Sequence, residues 1–257
     1  MSDSILYFYD ELADSYHLIF DDWHHSVAWQ GKVLNDFIRS KLVDLNKNHI
    51  TLLDASCGIG TQSLGLAQHG FDVTGTDLSR KSIDRAKREA EVLGVDIYFG
   101  VADFRSLEQE VAGKFDVVLS ADNAIPHLLT DDDLELASRN LYSKLNDNGL
   151  LVITIRDYDK HVKEKPRATQ PYLFDAGKRI VFQVWDWADD GKIYTTNHFI
   201  LLEADGKWTT NHKKTTYRAI LRDELSKILK SVGFNDIEWS MPSESGYYQP
   251  VVTARKI

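Results

Sequence analysis

The sequence is nearly without cysteine: Cys57 is the single thiol in 257 residues. One thiol excludes an intrachain disulfide and any metal cluster built from several thiolates, so no metal is expected. Cationic side chains are also in deficit, 30 Lys and Arg against 39 Asp and Glu, which leaves a formal net charge of −9 and a pI near 5.5. Phosphate backbones are bound through basic surface, so this balance argues against a nucleic-acid partner. No apolar run approaches the length that spans a bilayer, and no membrane partner is expected. The opening residues, MSDSILYFYDELADSYH, lack the basic start and apolar core of a secretion signal, which makes a cytoplasmic location the expectation. What is present, 43% hydrophobic and 27% charged residues, suits a globular core of one domain with an insertion or small lid.

The chain is organised around residues 51–79, TLLDASCGIGTQSLGLAQHGFDVTGTDLS. The apolar pair Leu52 and Leu53 ends at Asp54, a small-residue turn with Gly58 and Gly60 follows, and then a stretch of helical length. A second apolar run, 71–76, ends at Asp77. Strand, glycine loop, helix and strand make one right-handed crossover of an open parallel sheet. Ligands of such sheets bind beyond the carboxyl ends of the strands, where Asp54 and Asp77 fall. Glycine lets a ligand approach the backbone because no Cβ intervenes. A carboxylate after the next strand can accept hydrogen bonds from a ribose diol. The nicotinamide fingerprint G-x-G-x-x-G is not met, since Ser63 holds its third glycine position and the next glycine is Gly65.

Further elements follow by pattern. Val27, Gly31, Leu34, Ile38 and Leu42 keep helical spacing ahead of the first strand. Ser79 caps a helix with the stripe Ile83, Ala86, Ala90 and Leu93, stopped by Gly94. A strand at 97–101 delivers Ala102, Asp103 and Phe104, and the run 115–120, FDVVLS, reads as a strand buried on both faces. After a helix with Leu134, Ala137, Leu141 and Leu145, residues 146–149 read as a turn, and LLVITI as a strand ending at Arg156. Segments 180–187, 194–202 and 207–220 alternate like strands, with hairpin signals at 189–192 and 204–207. A helix over 222–232 and a strand pair at 237–241 and 249–255 close the chain. The expected architecture is α/β: a Rossmann-like, mostly parallel seven-stranded sheet with helices on both faces, a C-terminal antiparallel hairpin and a small inserted antiparallel β lid. Residues 1–48 form an N-terminal helical cap, 49–165 and 221–257 the core, and 166–220 the lid.

Several residues carry candidate chemistry. Asn123, just past the buried strand, has an amide oxygen that can hold an amine proton and aim the nitrogen lone pair; the plainer alternative is an Asn that stabilises the loop before Pro126. Arg156 at a strand end has the planar fork that binds a carboxylate bidentately, or else it forms a rim salt bridge with Asp157 or Asp159. His127 reads as a structural hydrogen-bonding residue. Trp185, Trp187, Tyr194, His198 and Tyr217 line an acceptor pocket, with Tyr194 and Tyr217 the foremost, or are the lid's own packing.

The loop D-x-x-x-G-x-G-T resembles the first motif of class I S-adenosylmethionine (SAM)-dependent methyltransferases. That resemblance implies SAM as cofactor and S-adenosylhomocysteine as product. It places Asp54, Ala55, Gly58 and Gly60 around the cofactor, Asp77 and Leu78 at its ribose, Ala102, Asp103 and Phe104 at its adenine, and Ala121 at its methionine part. The leader Y-D-x-L-A-x-x-Y is similar to family segments whose tyrosines, here Tyr9 and Tyr16, close over cofactor and acceptor; aromatic faces attract the cationic sulfonium. The stretches N-A-I-P-H-L and L-L-V-I-T-I-R-D-Y-D resemble N-S-F-A-H-L and L-L-V-I-D-H-R-N-Y-D of glycine N-methyltransferase and its glycine/sarcosine relatives. By that likeness Asn123 holds the acceptor's amino group and Arg156 its carboxylate, so the activity implied is methyl transfer to the nitrogen of a small amino acid such as glycine or sarcosine. Another small O- or N-acceptor, or a non-catalytic SAM-binding protein, are the alternatives. The amine must arrive neutral, and because Asn123 is no base, water or His127 takes its proton.

Overall fold

The computed structural model describes residues 3–42 and 49–257. The boundary expected after residue 48 therefore adjoins a stretch outside the described residues. The chain opens with α1 (Asp3–Leu12), a 3-10 turn (Tyr16–Ile19) and α2 (Trp23–Lys41). The core alternates β1 (Ile50–Asp54), α3 (Thr61–Gln68), β2 (Phe71–Asp77), α4 (Arg80–Leu93), β3 (Tyr98–Val101), α5 (Leu107–Glu110), β4 (Phe115–Ser120), α6 (Asp131–Ser143) and β5 (Leu145–Thr154). After α7 (Tyr158–Glu164) come β6 (Tyr172–Phe174), β7 (Arg179–Trp187), β8 (Ile193–Ala204) and β9 (Lys207–Arg218). The chain ends with α8 (Arg222–Val232), β10 (Asn235–Ser240), α9 (Pro242–Ser245) and β11 (Val251–Arg255).

The seven-stranded sheet runs β10-β11-β5-β4-β1-β2-β3, parallel except that β11 lies antiparallel to both of its neighbours. Side chains alternate across it. Leu53, Val118 and Leu151 pack with Leu134, Leu141 and Leu225 of α6 and α8, whereas Leu52, Val117 and Leu150 pack with Leu34, Phe37 and Ile38 of α2. A period of two on a sheet covered on both sides yields near-continuous apolar strands, and every residue of β4 is buried. Strand order reverses between β1 and β4, and at such a switch point the loops diverge to open a crevice. Among the described residues no helix is long and apolar enough to cross a membrane.

Two details depart from expectation. Residues 146–149 are not a free turn: Leu145 pairs with Phe115 and Leu150 with Val117, so the four residues bulge within β5. Asn148 adopts φ 62° there, and Asn146 Nδ2 donates to Asp116 Oδ1 at 3.0 Å. The inserted sheet has four strands, β6-β7-β8-β9, one more than the alternation predicts. Strand β6 is only three residues long and largely exposed, too short to display a period. The second hairpin turns through Asp205 and Gly206, both at positive φ, with Ala204 paired to Lys207, the two-residue turn that an Asp-Gly pair favours.

The cap is tied to core and lid alike. Ser79 Oγ donates to Asp10 Oδ1 at 2.6 Å, Lys213 Nζ pairs with Glu11 Oε2 at 3.0 Å, and the buried Arg179 guanidinium donates to the carbonyls of Leu18, Phe20 and Asp21. Helix α2 meets α3 backbone to backbone. A Cβ on Gly31 would fall 2.5 Å from the Gly65 carbonyl carbon, and one on Gly65 would fall 2.4 Å from the Val27 carbonyl oxygen. Rigid backbone on both sides leaves no room for repacking, so Gly65→Ala is expected to cost about 1–3 kcal/mol, as overpacked cores do. In thermal unfolding that is a fall of roughly 2–4 °C per kcal/mol for a chain of this size; an unchanged midpoint would show the helices free to separate.

Candidate functional site

Two cavities lie over the carboxyl edge of the large sheet. The first is floored by Ala55 and Gly58 of the glycine loop and walled by Asp77 and Leu78 after β2, Ala102, Asp103 and Phe104 after β3, and Ala121 after β4. Tyr9 and Tyr16 cover it from the cap. Asp77 Oδ2 accepts from Gly58 N and Oδ1 from Ser79 N, both at 2.9 Å, which fixes the carboxylate at the cavity wall. Burial raises its pKa, and the backbone N–H groups of Ser79, Gly58 and Leu78 act in the opposite sense. Gly58 sits at φ +54° with no atom within 4 Å of where a Cβ would stand, so the loop is open to a ligand at that point. The Asp103 carboxylate is gripped by Arg105, which also reaches Asp133 Oδ1 at 2.8 Å.

Two residues expected at this cavity lie beneath it instead. Asp54 is fully buried, accepting from Ser63 Oγ at 2.7 Å and from Ser56 N at 3.4 Å, and burial pushes its pKa up to about 7. Gly60 is the N-cap of α3 at φ +95°, packed so that a Cβ would meet the Leu64 side chain at 3.1 Å. Both shape the loop rather than line the cavity.

The second cavity, of about 640 Å³, lies between the core, the cap and the lid, and Asn123, Arg156, Gln183, Trp185, His198 and Tyr217 are among its lining residues. Arg156 does not form the rim salt bridge that its neighbours offer. Arg222 takes both carboxylates, Nη1 on Asp157 Oδ1 at 2.9 Å and Nε on Asp159 Oδ2 at 3.4 Å. Among the described residues no carboxylate lies within ion-pair distance of Arg156. Its guanidinium donates instead to neutral oxygens, Tyr194 Oη at 2.8 Å and Gln183 Oε1 at 3.1 Å, and lies 4.8 Å from the ring centre of Trp185 and 5.2 Å from that of Tyr217. A partly buried cation with neutral partners is poised for an anion.

Asn123 is placed otherwise than expected. Its Oδ1 accepts from Arg156 N at 3.0 Å and from Tyr158 Oη at 2.9 Å, and a backbone N–H can only donate, so the amide orientation is fixed. Both lone pairs are engaged, and the group left without a partner is the buried Nδ2. The oxygen thus holds the Arg156 backbone and is not available to an acceptor amine. Tyr194, expected against the acceptor, is fully buried behind Arg156, bonded to it and to Tyr158 Oη at 2.9 Å. Tyr217 does line the cavity.

Asp122 was not singled out from sequence. It follows β4 at φ 55°, and its carboxylate accepts from Tyr247 Oη and Tyr248 Oη, each at 2.5 Å, and from Gln62 Nε2 at 2.7 Å. Its only trace in the sequence is its place two residues past a buried strand; the tyrosines that hold it lie more than a hundred positions away.

His127 Nδ1 lies 3.2 Å from the Thr216 carbonyl, an acceptor, so Nδ1 carries the proton and Nε2 accepts from Tyr9 Oη at 2.7 Å. Burial pulls its pKa down to about 3, and the positive Arg156 adds to the effect. A neutral ring with both nitrogens engaged is a strut for Tyr9, not a base.

Residues 52–149 match the family described as "Methyltransferase domain". The glycine/sarcosine N-methyltransferase of Parasynechococcus marenigrum (strain WH8102) is 32% identical over 145 residues, covering 54% of this chain and 50% of the relative. The chain thus spans about half the length of the glycine/sarcosine relatives it matches first. Over nearly the whole chain the fold is similar to that of the CcbJ methyltransferase of Streptomyces caelestis, with TM-score 0.77, 17% identity, and 97% and 98% of the two chains covered. It is also similar to that of SAM-bound CalS10, an amino pentose methyltransferase from Micromonospora echinaspora, with TM-score 0.70, 16% identity and 95% of each chain covered.

The His127 geometry is checked by nuclear magnetic resonance of its imidazole. The ring is expected to hold one tautomer from pH 8 to pH 5, because its folded pKa lies near 3. Below the unfolded value of about 6.5 the unfolded chain binds the extra proton, so this residue's contribution to stability is lost as pH falls from there toward 3. Titration near pH 6.5 would remove the assignment.

Proposed function

From the premise that this chain carries a class I SAM-dependent methyltransferase domain, we propose that it transfers a methyl group from SAM to the amino nitrogen of a small amino acid. The observation that carries this reading is Arg156, a cation facing the second cavity whose adjacent carboxylates are already held by Arg222. An amino acid's carboxylate is the missing anion, and the guanidinium fork receives it bidentately.

The residues present suit the cofactor. Asp77 has lone pairs for a ribose diol, Gly58 leaves the loop open, and Tyr9 and Tyr16 present electron-rich rings above the first cavity. When bound, SAM supplies an electrophilic methyl group on a sulfonium. The chain's own contribution is approach and orientation, which in favourable systems lowers a barrier by roughly 7–11 kcal/mol. Arg156 fixes one end of the acceptor, the tyrosines exclude water, and Asn123 fixes the Arg156 backbone.

A second reading, a bulkier amine acceptor, is favoured by one observation. The cavity's volume of about 640 Å³ falls within the roughly 300–1,000 Å³ of pockets for drug-sized ligands, and the structurally similar CalS10 is an amino pentose methyltransferase.

Release of S-adenosylhomocysteine with glycine, sarcosine and dimethylglycine, against a no-acceptor control, tests the first reading. Turnover is expected with at least one. Arg156→Ala is expected to raise KM for that acceptor by about thirtyfold or more, since losing one partner of a buried charge pair costs at least roughly 2 kcal/mol. Arg156→Lys would not restore it, because an ammonium lacks the fork. Silence with all three, alongside turnover of an amino sugar or larger amine, would move the assignment to the second reading.

A further inference from the structure

The two cavities share three lining residues, Tyr9, Tyr16 and Asp122. A nitrogen that meets a methyl group has to do so where the cavities join, so these residues surround the reacting atoms. Asp122 is the one that can carry negative charge at neutral pH, since burial holds both phenols protonated. Among the described residues the hydrogen-bond donors to its carboxylate are neutral, Tyr247, Tyr248 and Gln62, and no Lys or Arg pairs with it. Tyr247 and Tyr248 share Oδ1, while Oδ2 takes Gln62 and keeps a lone pair. The site therefore holds an anion without a counter-cation at Asp122 and a cation without a counter-anion at Arg156. Tyr16 lies in the field of both, its phenol raised by Asp122 and lowered by Arg156. Asn123, meanwhile, has no oxygen to offer an amine.

We propose that Asp122 is the residue that receives the acceptor's ammonium group, holding the nitrogen at the junction and taking the proton it must lose. This assignment rests on the amino-acid reading and makes the site a clamp for a zwitterion. The ammonium gives one proton to Asp122 Oδ2, which becomes a neutral carboxylic acid. The freed lone pair forms the bond from nitrogen to the methyl carbon as the carbon–sulfur bond breaks. The electrons of that bond stay on sulfur, which passes from sulfonium to thioether, and the methylated nitrogen leaves as an ammonium. Asp122 then releases its proton to solvent.

The test is calorimetric binding of two probes, S-adenosylhomocysteine and sinefungin, an analogue with a protonated amine where the donor bears its methyl group. In Asp122→Asn the affinity for sinefungin is expected to fall at least tenfold while that for S-adenosylhomocysteine changes less than threefold. An equal loss of both would overturn the proposal and assign the carboxylate to the cofactor's own amino group, which both probes carry; no change in either would overturn it as well. Should the variant fail to fold, the wild-type protein carries the test. The ratio of the two affinities must fall as the carboxylate protonates between pH 8 and pH 4, and a flat ratio overturns the proposal. The other titratable groups facing Asp122 are Tyr16, Tyr247 and Tyr248, which stay neutral over that range, and Asp54, which acts on both probes alike. Absence of amino-acid turnover with the probe ratio intact would sink only the acceptor reading. Turnover with an unaltered ratio in the variant would sink only the role of Asp122.

Discussion

The site depends on one contact between backbones. Because Gly31 and Gly65 have no side chains, α2 and α3 approach until main-chain atoms touch. Gln30 precedes Gly31, and Gln62 lies one helical turn before Gly65, so the same approach brings their amides within 2.7 Å. Gln62 then spends its amide protons on Gln30 Oε1 and Asp122 Oδ2, and the single proton of Tyr247 Oη is placed within reach of Gln30 Oε1 and Asp122 Oδ1. A steric property of two glycines thus fixes a carboxylate at the mouth of the crevice. Separating the helices would leave several buried polar groups unpaired, and in a low-dielectric interior such networks lose more than the sum of their bonds.

The second organising principle is an unequal distribution of charge partners. Arg222 collects Asp157 and Asp159, and Arg156 next to them collects only hydroxyl and amide oxygens and aromatic faces. Tyr194 and Tyr158 relay this arrangement to Asn123, whose oxygen closes a ring of hydrogen bonds around the turn after β5. The ring holds the guanidinium fork without neutralising it. Rigid support for an unneutralised ion is what a binding site requires and what a merely stable core would avoid.

The sheet was legible in the sequence because its signals are local. Buried parallel strands read as apolar runs, Ser79 and Gly94 punctuate α4, and the Asp-Gly pair at 205–206 turns a hairpin through its own dihedral preferences. The glycine loop and the residues after β2 and β3 line the first cavity for the same local reason, since a parallel sheet opens its crevice at the carboxyl ends of its strands. Asp54 and Gly60 were misplaced because a motif records which residues build a loop, not which of them face outward. Asn123 was misread because its oxygen is claimed by a backbone N–H thirty-three residues on. Asp122 carries no local signal because Gln62, Tyr247 and Tyr248 reach it from two remote segments, and no periodicity reports such a convergence. The bulge at 146–149 shows the converse limit: strong turn residues make a turn only if the strands around them do not continue.

The ties between cap and lid have a consequence for both cavities. Arg179 of the lid holds three carbonyls of the cap, Lys213 holds Glu11, and Asn211 Nδ2 donates to Ser15 Oγ at 3.0 Å. Phe8 and Leu12 of the cap share a buried cluster with Val181 and Ile200 of the lid. The roof over the first cavity and the wall of the second are therefore joined to each other, and each is tied to the core as well, the roof by Ser79 on Asp10 and Tyr9 on His127, the wall by Arg156 on Gln183 and Tyr194. Two rooms under one such roof share its fate: a substitution that parts the cap from the lid disturbs the housing of both cavities at once.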